Sequence, residues 1–575
     1  MRIYIEVFKF LREYQPYSIY YLLLVFLITA ILEAIGISFV MPVIALVLDE
    51  NFLQILSNSS FARYVPEFIL EMTRYDALFL FSFFVIFTYL IKNIFLIYSE
   101  YLRSLFTGII KAKLSSKIMN KYLHQDILYH SKKSNSEINS TINQKINDVT
   151  DGLLTSVLTI LSELIVIIGL LFLIIFFKQL NTFLILLLLF TVGVVVGKIV
   201  TIYIKKLGVI RQHNVNIKFN NFTQITNNFR EILLTGRMGL FFVNFRNSLM
   251  NIAKFDALRS GFQKSPQLIF ETIGVSGLVV IIYYLLSFNA STVEIIATCT
   301  FFAAISYRAI PSLHKILHFY YNVKYYLPTF LEVVNELNEE NKILYHEEKF
   351  DIKSTISLQN ISFKYEENND YILKNLNFDI KKNISIGIYG KSGCGKTTLL
   401  DLVSGLIEPS EGEVVVEKIN IDNNFLRRKL QNNISYTSQK TSVINGSLKK
   451  NICFGEELDN IDNEWYKKVL EISHLTEFEK FFDDSLKQNM SDFGKNISGG
   501  QLQRVGIARA LYQSKDILIF DESTNALDEN LEKELISDII KLKNKTIIFV
   551  SHNLDLFENF HEIYQVKNQN ILKIK

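Results

Sequence analysis

The sequence is poor in cysteine and almost balanced in charge. It contains only three cysteines in 575 residues, Cys299, Cys394 and Cys453. An odd number at such wide spacing argues against a disulfide framework and against a cysteine-based metal site. The formal net charge is +3, which for a chain of this length gives no reason to expect nucleic-acid binding. A polar, aromatic N-terminus followed by a long apolar run predicts no cleavable signal peptide.

Hydrophobic residues, in contrast, make up 49% of the chain. The excess is concentrated in the first part of the sequence, in six apolar runs that are each long enough to cross a bilayer as a helix of about 20 residues. Six such runs are too many to bury inside one soluble domain of this size. We therefore predict six transmembrane spans, at residues 19–47, 77–97, 153–177, 182–204, 267–288 and 292–320.

Lysine and arginine are distributed unevenly between these spans. The segments between spans two and three and between spans four and five are rich in both residues, whereas the alternate connections contain few. Positively charged connections stay on the cytoplasmic side of a membrane. We therefore predict a multi-pass protein of a bacterial-type inner (cytoplasmic) membrane, with both termini and the region after span six in the cytoplasm.

The two basic connections are long, contain few glycines and have no proline before Pro266. We expect the flanking helices to continue beyond the membrane and to turn at two short polar stretches, residues 124–137 and 221–236. Both stretches are candidates for contacting a cytoplasmic domain, and ordinary helical hairpins are the alternative. Residues 336–353 are polar and charged. They predict a linker between a membrane domain at 1–335 and a second domain at 354–575.

The second domain contains a phosphate-binding motif. Residues 386–400 have the sequence IGIYGKSGCGKTTLL, which fits G-x-x-x-x-G-K-[ST]. An apolar run predicts a strand before this loop and a helix is predicted after it, which is the context that the motif requires. Glycines and a helix N-terminus present backbone N–H groups to phosphates. The lysine neutralises the β- and γ-phosphates, and the threonine hydroxyl can ligate Mg²⁺. The predicted loop residues are Gly390, Ser392, Gly393, Cys394, Gly395, Lys396, Thr397 and Thr398.

Other polar residues of this domain follow predicted strands or begin a predicted helix. Gln439 comes just after a short strand, and His552 directly follows the apolar run at 546–550. Asp521 and Glu522 end another apolar run, at 517–520. Tyr365, at the end of an alternating strand ahead of the phosphate loop, is a candidate for stacking on adenine. A further group comprises Asp528 and the helix-opening residues Ser498, Gly499, Gly500 and Gln501.

This set of motifs, in this order, resembles the ATP-binding cassette (ABC) ATPases. Together with the six spans ahead of it, the whole chain resembles the exporter-type half-transporters of that family. The resemblance implies a multi-domain fold. A six-helix, all-α transmembrane domain is followed by an α/β P-loop ATPase domain with antiparallel β and helical subdomains. It also implies an ATP hydrolase coupled to transport, with ATP and Mg²⁺ as cofactors.

The resemblance gives each motif an expected role. Asp521 would hold Mg²⁺ alongside Thr397, and Gln439 would reach Mg²⁺ or water and report the nucleotide state to the membrane helices. Glu522 is the expected catalytic residue that polarises the attacking water, because a carboxylate beside the γ-phosphate can orient water and accept its proton. His552 would contact the γ-phosphate.

Ser498, Gly499 and Gly500 are expected to act on another chain. In this family the corresponding residues cap the ATP bound by a partner, and six spans are half the usual number. Both features imply a dimer; we expect a homodimer, with a heterodimer of similar chains as the alternative. The sequence departs from the family pattern at Asn525, where serine is common, and at residues 490–494, MSDFG in place of V-G-E-x-G. The second departure concerns coupling between domains rather than hydrolysis.

Charged residues inside the spans are candidates for substrate binding, because a charge in a membrane is costly. Arg308 and Lys315 are seven residues apart and therefore on one helix face. With Lys92 they are predicted to line a cavity for an anionic group such as a pyrophosphate. The alternative is that Lys92 and Lys315 lie near the cytoplasmic ends of their helices in water. Glu33 is a candidate partner for one of these cations.

Two stretches in the spans, SFVMP at 38–42 and SYRAIPS at 306–312, resemble the PglK-type lipid-linked oligosaccharide flippases of bacterial protein N-glycosylation. Gln267 stands where that resemblance leads us to expect a further arginine. We therefore predict ATP-driven export or flipping of an amphiphile, with a polyprenyl-pyrophosphate-linked oligosaccharide as the first hypothesis. A multidrug or lipid (lipid A-like) exporter, a peptide exporter and a membrane ATPase that moves nothing are the alternatives.

Overall fold

The computed structural model describes residues 10, 16–48, 52–53, 66–176, 180–288, 292–339, 346–353, 355–365, 370–479 and 497–575. The chain divides into two compact units. The first comprises residues 1–123 and 133–339, and the second comprises residues 124–132 and 340–575. The division at 339/340 falls within the predicted linker at 336–353, of which residues 340–345 lie outside the described residues. The short segment 124–132 belongs to the second unit although both its flanking segments belong to the first.

Long helices form the first unit. Within the described residues, six helices are apolar and long enough to cross a membrane, and each predicted span falls on one of them. In chain order the helices up to residue 338 are α1 (Pro16–Leu48), α2 (Glu67–Leu70), α3 (Arg74–Leu123), α4 (Ile127–Lys132), α5 (Asn135–Ser140), α6 (Thr155–Phe176), α7 (Leu180–Asn227), α8 (Phe229–Thr235), α9 (Met238–Ser287) and α10 (Thr292–Asn338).

Four of these helices are much longer than a membrane is thick. Helices α3, α7, α9 and α10 contain between 47 and 50 residues each. At 1.5 Å per residue each is about 70–75 Å long, against a hydrocarbon core of about 30 Å. The scarcity of glycine and proline in the connections thus permits continuous helices. The short helices α4 and α8 lie in the two predicted turn stretches, and α8 ends at Gly236 in a left-handed conformation.

An irregular helix, which the sequence did not predict, leads into span three. The segments Thr141–Lys145 and Asp148–Leu154 are π-helical, a rare geometry in proteins. Asp148 is buried here and forms an ion pair with Arg211 of α7. Gly152 permits close packing on α10, because a Cβ at this position would lie 2.5 Å from the ring of Tyr326.

The second unit contains two β-sheets. The first sheet is antiparallel with the strand order β2-β1-β4-β5, and the second has the order β10-β9-β3-β8-β7-β6. In the second sheet the neighbours from β9 to β6 are parallel, and β10 is antiparallel to β9. The strands are β1 (Thr355–Phe363), β2 (Leu373–Lys381), β3 (Ser385–Tyr389), β4 (Glu411–Val416), β5 (Ile419–Asn420), β6 (Ile434–Thr437), β7 (Ile517–Asp521), β8 (Thr546–Ser551), β9 (Glu562–Lys567) and β10 (Asn570–Lys573).

The parallel strands β7 and β8 are buried along their whole length, because helices cover the faces of a parallel sheet. This explains their continuous apolar sequences. The helices of this unit are α11 (Lys396–Val403), α12 (Asn424–Gln431), α13 (Leu448–Ile452), α14 (Asn463–Ile472), α15 (Thr476–Glu479), α16 (Gly499–Tyr512) and α17 (Glu529–Ile540), with short 3₁₀ turns at Leu458–Asn460 and Leu554–Phe557. The predicted fold class, six apolar helices followed by an α/β ATPase-type domain, is confirmed.

Helix α4 packs within the second unit. Leu128 contacts a hydrophobic core that includes Phe363 and Ile407. Other residues of this segment, from Asp126 to Lys132, line one side of a cavity of about 750 Å³ with residues 405–410 on the other side. Residues 124–132 of the first predicted turn stretch therefore belong to the unit that carries the phosphate loop.

Candidate nucleotide site and intramembrane charge cluster

The phosphate loop connects β3 to α11 at the carboxyl edge of the parallel sheet. Gly393 and Gly395 have φ angles of +78° and +100°, which glycine adopts without steric cost. Lys396 is 5% exposed, and its Nζ donates to the carbonyl oxygens of Gly390 at 2.9 Å and Lys391 at 3.1 Å. Ser392, Gly393 and Thr397 are exposed. The loop is thus wound around its own lysine and leaves Ser392, Gly393 and Thr397 exposed to solvent.

Thr397 and Asp521 meet at this edge although they are 124 residues apart. Thr397 Oγ1 donates to Asp521 Oδ2 at 2.9 Å, and the Tyr436 hydroxyl donates to the same oxygen at 3.2 Å. Burial raises the pKa of Asp521, and these two hydroxyl donors oppose the rise. A bound cation would stabilise the carboxylate that burial disfavours. Hydroxyl and carboxylate oxygens are ligands that Mg²⁺ prefers, so Thr397 and Asp521 fit this ion.

A second acid, the half-buried Asp401, lies near Asp521. Burial and the negative charge of Asp521 raise the pKa of Asp401 to about 6. Within the described residues, no cluster of three His, Cys, Asp or Glu side chains could hold a metal ion. A site built from one hydroxyl and one carboxylate leaves room for phosphate oxygens to complete the coordination of Mg²⁺.

Glu522 lies at the centre of several predicted site residues. Its backbone has φ +45°, which is uncommon for a residue other than glycine, and its N–H donates to the Val550 carbonyl at 3.1 Å. Glu522 Oε1 lies 3.0 Å from Lys396 Nζ and 4.0 Å from His552 Nδ1. Gln439 Nε2 donates to Glu522 Oε2 at 2.9 Å. The structure therefore brings together Lys396, Gln439, Glu522 and His552, which the sequence placed at separate strand ends and in the phosphate loop.

Tyr365 lies beside the start of α11. Its hydroxyl is 3.5 Å from Thr398 Oγ1, and its ring makes an edge contact with Phe363 at a centroid distance of 5.0 Å. The side chain is half-buried, which leaves part of the ring open.

Cys394 of the phosphate loop is also half-buried, and its Sγ atom would lie 2.7 Å from a Cβ at Gly390. There is thus no room for a side chain at Gly390, where the loop packs on the Cys394 sulfur.

The residues that open α16 form a separate group. Ser498 Oγ accepts from the Gln501 N–H, and Gln501 Oε1 accepts from the Ser498 N–H at 2.9 Å, which makes a reciprocal N-terminal cap. Asp528 caps α17, because its side chain accepts from the Leu531 N–H at 3.2 Å. With Gly499, Gly500 and neighbouring residues, these side chains line a cavity of about 330 Å³. Among the described residues, those that line it include none from the phosphate loop.

Tyr436, Asp401 and Asn525 belong to the site, although sequence reasoning gave them no role in it. Asn525 Nδ2 donates to Glu522 Oε2 at 3.3 Å. Tyr436 lies near the end of β6, in the stretch that predicted Gln439, so its position at a strand end was an available signal. Asn525 stood out in the sequence only as a departure from the family pattern, and nothing in the local sequence pattern around Asp401 indicated that it lies near Asp521. The stretch 490–494, which departs from the family pattern, lies outside the described residues.

In the first unit, Arg308 and Lys315 of α10 are ion-paired. Arg308 donates through Nε to Glu33 of α1, and its Nη2 lies 3.2 Å from Glu163 Oε2 of α6. Lys315 Nζ lies 2.9 Å from Glu163 Oε1, and Ser312 Oγ donates to Glu163 Oε2 at 2.7 Å. We call Glu33, Glu163, Arg308, Ser312 and Lys315 the charge cluster; its two positive and two negative charges cancel.

Both cations of the charge cluster already have carboxylate partners. An anion in the predicted cavity would therefore have to compete with Glu33 and Glu163 for Arg308 and Lys315. Glu33 pairs with Arg308, as the sequence allowed. Glu163 was missed, although a carboxylate inside the apolar run of span three was the same kind of signal as Glu33. Lys92 has a different contact: its Nζ lies 4.5 Å from the centre of the Tyr89 ring. Of the cluster cations, the Arg308 side chain is 17% exposed and the Lys315 side chain is 49% exposed.

A phosphate loop and two carboxylates at the carboxyl edge of a parallel sheet define a P-loop nucleotide-binding protein, here with membrane-type helices ahead of it. Comparison with known families identifies the family within this class. Residues 22–309 match the family model described as ABC transporter transmembrane region, and residues 373–525 match the model described as ABC transporter. The first match covers half of the chain, so the chain belongs to the ABC transporter family.

Individual relatives are similar over a smaller part of the sequence. The ATP-dependent lipid A-core flippase of Pasteurella multocida (strain Pm70) is 32% identical over 221 residues, 38% of this chain and 38% of that protein. The Lactococcin-G-processing and transport ATP-binding protein LagD of Lactococcus lactis subsp. lactis is 34% identical over 232 residues, 38% of this chain and 30% of that protein. These alignments thus cover well under two thirds of the length of either relative.

A solved structure is similar over nearly the whole fold. The structure titled "Structure of a bacterial Atm1-family ABC exporter with ATP bound" matches with a TM-score of 0.78 over 95% of this chain and 94% of that chain. The sequence identity is 15%, so the likeness concerns the fold. It agrees with the predicted exporter-type arrangement of six helices followed by an ATPase-type domain.

Proposed function

We propose that this protein hydrolyses ATP and uses the energy to export or flip an amphiphilic molecule across a bacterial-type inner membrane. The proposal rests on the meeting of Lys396, Gln439 and His552 around the Glu522 carboxylate. This group lies beside the Thr397–Asp521 pair. Family membership supports the coupling of this site to membrane helices. The ATPase unit and both termini would lie in the cytoplasm, and α4 would transmit changes in the ATPase unit to the helices on either side of it.

The proposed mechanism follows from what each side chain can do. The N–H groups of the phosphate loop and Lys396 would bind the β- and γ-phosphates. Thr397 and Asp521 would hold Mg²⁺, which supplies positive charge to the phosphate oxygens when bound. Lys396 now contacts Glu522 Oε1, and its attraction to the phosphates would leave that oxygen open to accept the proton of water. Gln439 and His552 would orient the water and the γ-phosphate.

Replacing Glu522 by glutamine tests this mechanism. The amide has the same shape but cannot accept a proton, and a general base contributes about 10²–10⁴-fold to a rate. We expect at least a hundredfold loss of ATP hydrolysis in proteoliposomes, with retained binding of a fluorescent ATP analogue. Lys396→Ala is the matched control, because it should lose binding as well. Near-normal hydrolysis by the Glu522→Gln variant would remove Glu522 from this role.

We also propose that the working unit is a dimer, with a homodimer preferred over a heterodimer. The separation of the Ser498–Gln501 cavity from the phosphate loop supports this proposal, because a second chain could bring the two together. Helix-start N–H groups such as those of Gly499 and Gly500 suit a phosphate.

Complementation between two inactive variants tests the dimer. A Lys396→Ala chain and a Ser498→Arg chain should each be inactive alone. In a mixed dimer one site would carry both substitutions and the other would carry neither, so co-expression should restore hydrolysis. If each chain instead completed its own site, every site in the mixture would be defective. Absence of restored activity in a purified mixed dimer would therefore contradict the proposal.

For the substrate, we propose a polyprenyl-pyrophosphate-linked oligosaccharide as the first hypothesis. Arg308 and Lys315, on one face of span six, are the groups that would engage its phosphates, with Lys92 as a further candidate. Because Glu33 and Glu163 already pair with these cations, a pyrophosphate would have to compete with them. The relatives named lipid A-core flippases support a lipid substrate in general.

Stimulation of ATP hydrolysis in proteoliposomes identifies the substrate class. The panel contains lipid-linked glycans, lipopolysaccharide precursors, cationic drugs and peptides. Selective stimulation by a lipid-linked glycan, lost on Arg308→Ala while basal hydrolysis persists, would support the first hypothesis. Selective stimulation by a drug, a lipopolysaccharide precursor or a peptide would instead favour the multidrug, lipid A-like or peptide exporter.

A further inference from the structure

Two histidines lie about one helical turn apart in span six. His314 and His318 belong to α10, and the centres of their rings are 5.9 Å apart. An ionisable side chain within a span is costly and is therefore a candidate functional group, and the mechanism proposed above uses neither histidine. We propose that His314 and His318 form a binding site for one divalent transition-metal ion, with Zn²⁺ as the representative ion.

The spacing of the two histidines suits one shared ion. Side chains four residues apart lie on the same face of an α-helix, and two histidines at this spacing bind Zn²⁺ together in helical zinc sites. A Zn–N bond is about 2.0–2.1 Å long, so the two coordinating nitrogens must lie within about 4 Å of each other. Ring centres 5.9 Å apart, with the ring planes at 45°, permit this separation when nitrogens occupy the facing edges of the rings.

The two ring nitrogens of His314 have different surroundings. A hydrogen bond links the ring to the backbone of Gln263 in α9. Nε2 is buried, and among the described residues no group forms a hydrogen bond with it. A metal-bound histidine characteristically donates its other ring N–H to a carbonyl or carboxylate, which leaves a neutral nitrogen for the metal. A metal ion would thus supply the partner that a buried nitrogen needs.

A further hydrogen bond holds α9 against α10 beside the histidines. The Gln263 side chain is buried, and its Nε2 donates to Asn322 Oδ1 at 2.7 Å. Asn322 follows His318 by four residues and therefore lies on the same face of α10. This bond fixes the Gln263 backbone that contacts His314. The outer partner that orients a metal ligand is therefore already in position.

Arg259 is the cation that lies near His318. Its Nη1 donates to the Tyr326 hydroxyl at 2.8 Å, and its guanidinium lies 4.6 Å from the centre of the Tyr325 ring. A cation over an aromatic face is attracted by the ring. These contacts hold the positive charge of Arg259 on the two tyrosines, so that it does not occupy the space between the histidine rings.

Three charged groups lie near His314. Lys315 is ion-paired with Glu163 of the charge cluster, and Lys264 is exposed, where water screens its charge. The third group, the Glu271 carboxylate, supplies a negative charge that favours a nearby metal cation. The electrostatic surroundings of His314 therefore permit a divalent ion.

Two histidines are fewer ligands than a structural zinc site uses. In the part of the chain that the structure describes, no cluster of three His, Cys, Asp or Glu side chains could hold a metal ion. Water would therefore complete the coordination of the ion. Such a site is suited to an ion that binds reversibly rather than to one that holds the fold together.

The test is thermal unfolding of the full chain in detergent, purified without a polyhistidine tag and titrated with ZnCl₂ in the absence of nucleotide. At a free Zn²⁺ concentration about 100 times Kd, we expect Tm to rise by about 3–6 °C. Equilibrium dialysis should find one Zn²⁺ more per wild-type chain than per His314→Ala or His318→Ala chain, and each variant should lose the rise in Tm. MgCl₂ should cause no rise, because Mg²⁺ prefers oxygen ligands.

His213→Ala is the matched control, because it removes an exposed histidine of α7 and should keep the rise in Tm. His314→Asn is the second variant in case alanine prevents folding, since its amide can still donate to the Gln263 backbone. It should fold normally and lose the rise. An unchanged Tm of the wild-type chain with Zn²⁺ would overturn the proposal. A rise that persists in both His314→Asn and His318→Ala would also overturn it, by placing the ion elsewhere.

Discussion

Replacement of Glu163 by glutamine changes the residue of the charge cluster that accepts the most hydrogen bonds and ion pairs. Glu163 receives three donors, all from α10: Arg308, Ser312 and Lys315. Its side chain is 7% exposed, so water cannot replace these contacts. Glutamine keeps the shape but removes the charge, and the cluster is left with one uncompensated positive charge. We expect this change to loosen the contact between spans three and six.

The expected loss of stability depends on how exposed each partner of Glu163 is. Breaking a buried ion pair by removing one partner costs about 3–5 kcal/mol, whereas an exposed pair contributes about 0–1 kcal/mol. Arg308 is largely buried but retains Glu33, and Lys315 is half exposed. We therefore expect Glu163→Gln to destabilise the protein by about 2–4 kcal/mol, and Lys315→Met by less than about 1 kcal/mol. Glu33→Gln, which replaces the charged acceptor of the Arg308 Nε–H by a neutral one, should fall between them.

Thermal unfolding of the purified chain in detergent measures this order. At about 2 °C per kcal/mol for a large domain, Glu163→Gln should lower Tm by about 4–8 °C and Lys315→Met by less than about 2 °C. Lys198→Met, at an exposed position of α7, is the control for loss of a lysine in a span. An equal or larger loss for Lys315→Met than for Glu163→Gln would refute the reasoning, as would an unchanged Tm for Glu163→Gln.

Three further outcomes are expected. Because the pKa of Asp401 is raised to about 6 from the ordinary 3.8, its ionisation destabilises the fold progressively as pH rises from about 4 to about 6. In a melting series at different pH values, Asp401→Asn should therefore raise the free energy of unfolding at pH 8 by about 1–2 kcal/mol, after allowance for solvent screening, and leave it unchanged near pH 4. A gain of equal size at both pH values would contradict this prediction. Gly152→Ala should destabilise the first unit by about 1–3 kcal/mol, because the new Cβ meets the Tyr326 ring. Gly108→Ala, where nothing lies within 4 Å, should not destabilise it, and equal effects of both substitutions would refute the packing argument. Tyr365→Ala should weaken binding of an ATP analogue about tenfold through lost stacking, with Tyr365→Phe close to normal; unchanged binding by the alanine variant would remove Tyr365 from the adenine site.

Local patterns in the sequence were sufficient to predict many elements. The six spans could be predicted from apolar runs. A segment inside the hydrocarbon region must hydrogen-bond all of its own backbone N–H and C=O groups, and a long apolar run does so as a helix. The phosphate loop follows from glycine and lysine spacing between a strand and a helix. The strands ending at Asp521 and Ser551 follow from buried apolar runs. These signals need no knowledge of distant residues.

The tertiary structure decided which of these residues meet. Gln439 contacts Glu522 across 83 positions of sequence, and Thr397 contacts Asp521 across 124. Their meeting depends on the strand order β3-β8-β7-β6, which places the carboxyl ends of four parallel strands along one edge. In the same way, packing of α1, α6 and α10 brought Glu33 and Glu163 to Arg308. Apolar periodicity determines that a segment is a helix or a strand, but only packing against its neighbours determines which charged side chains become partners.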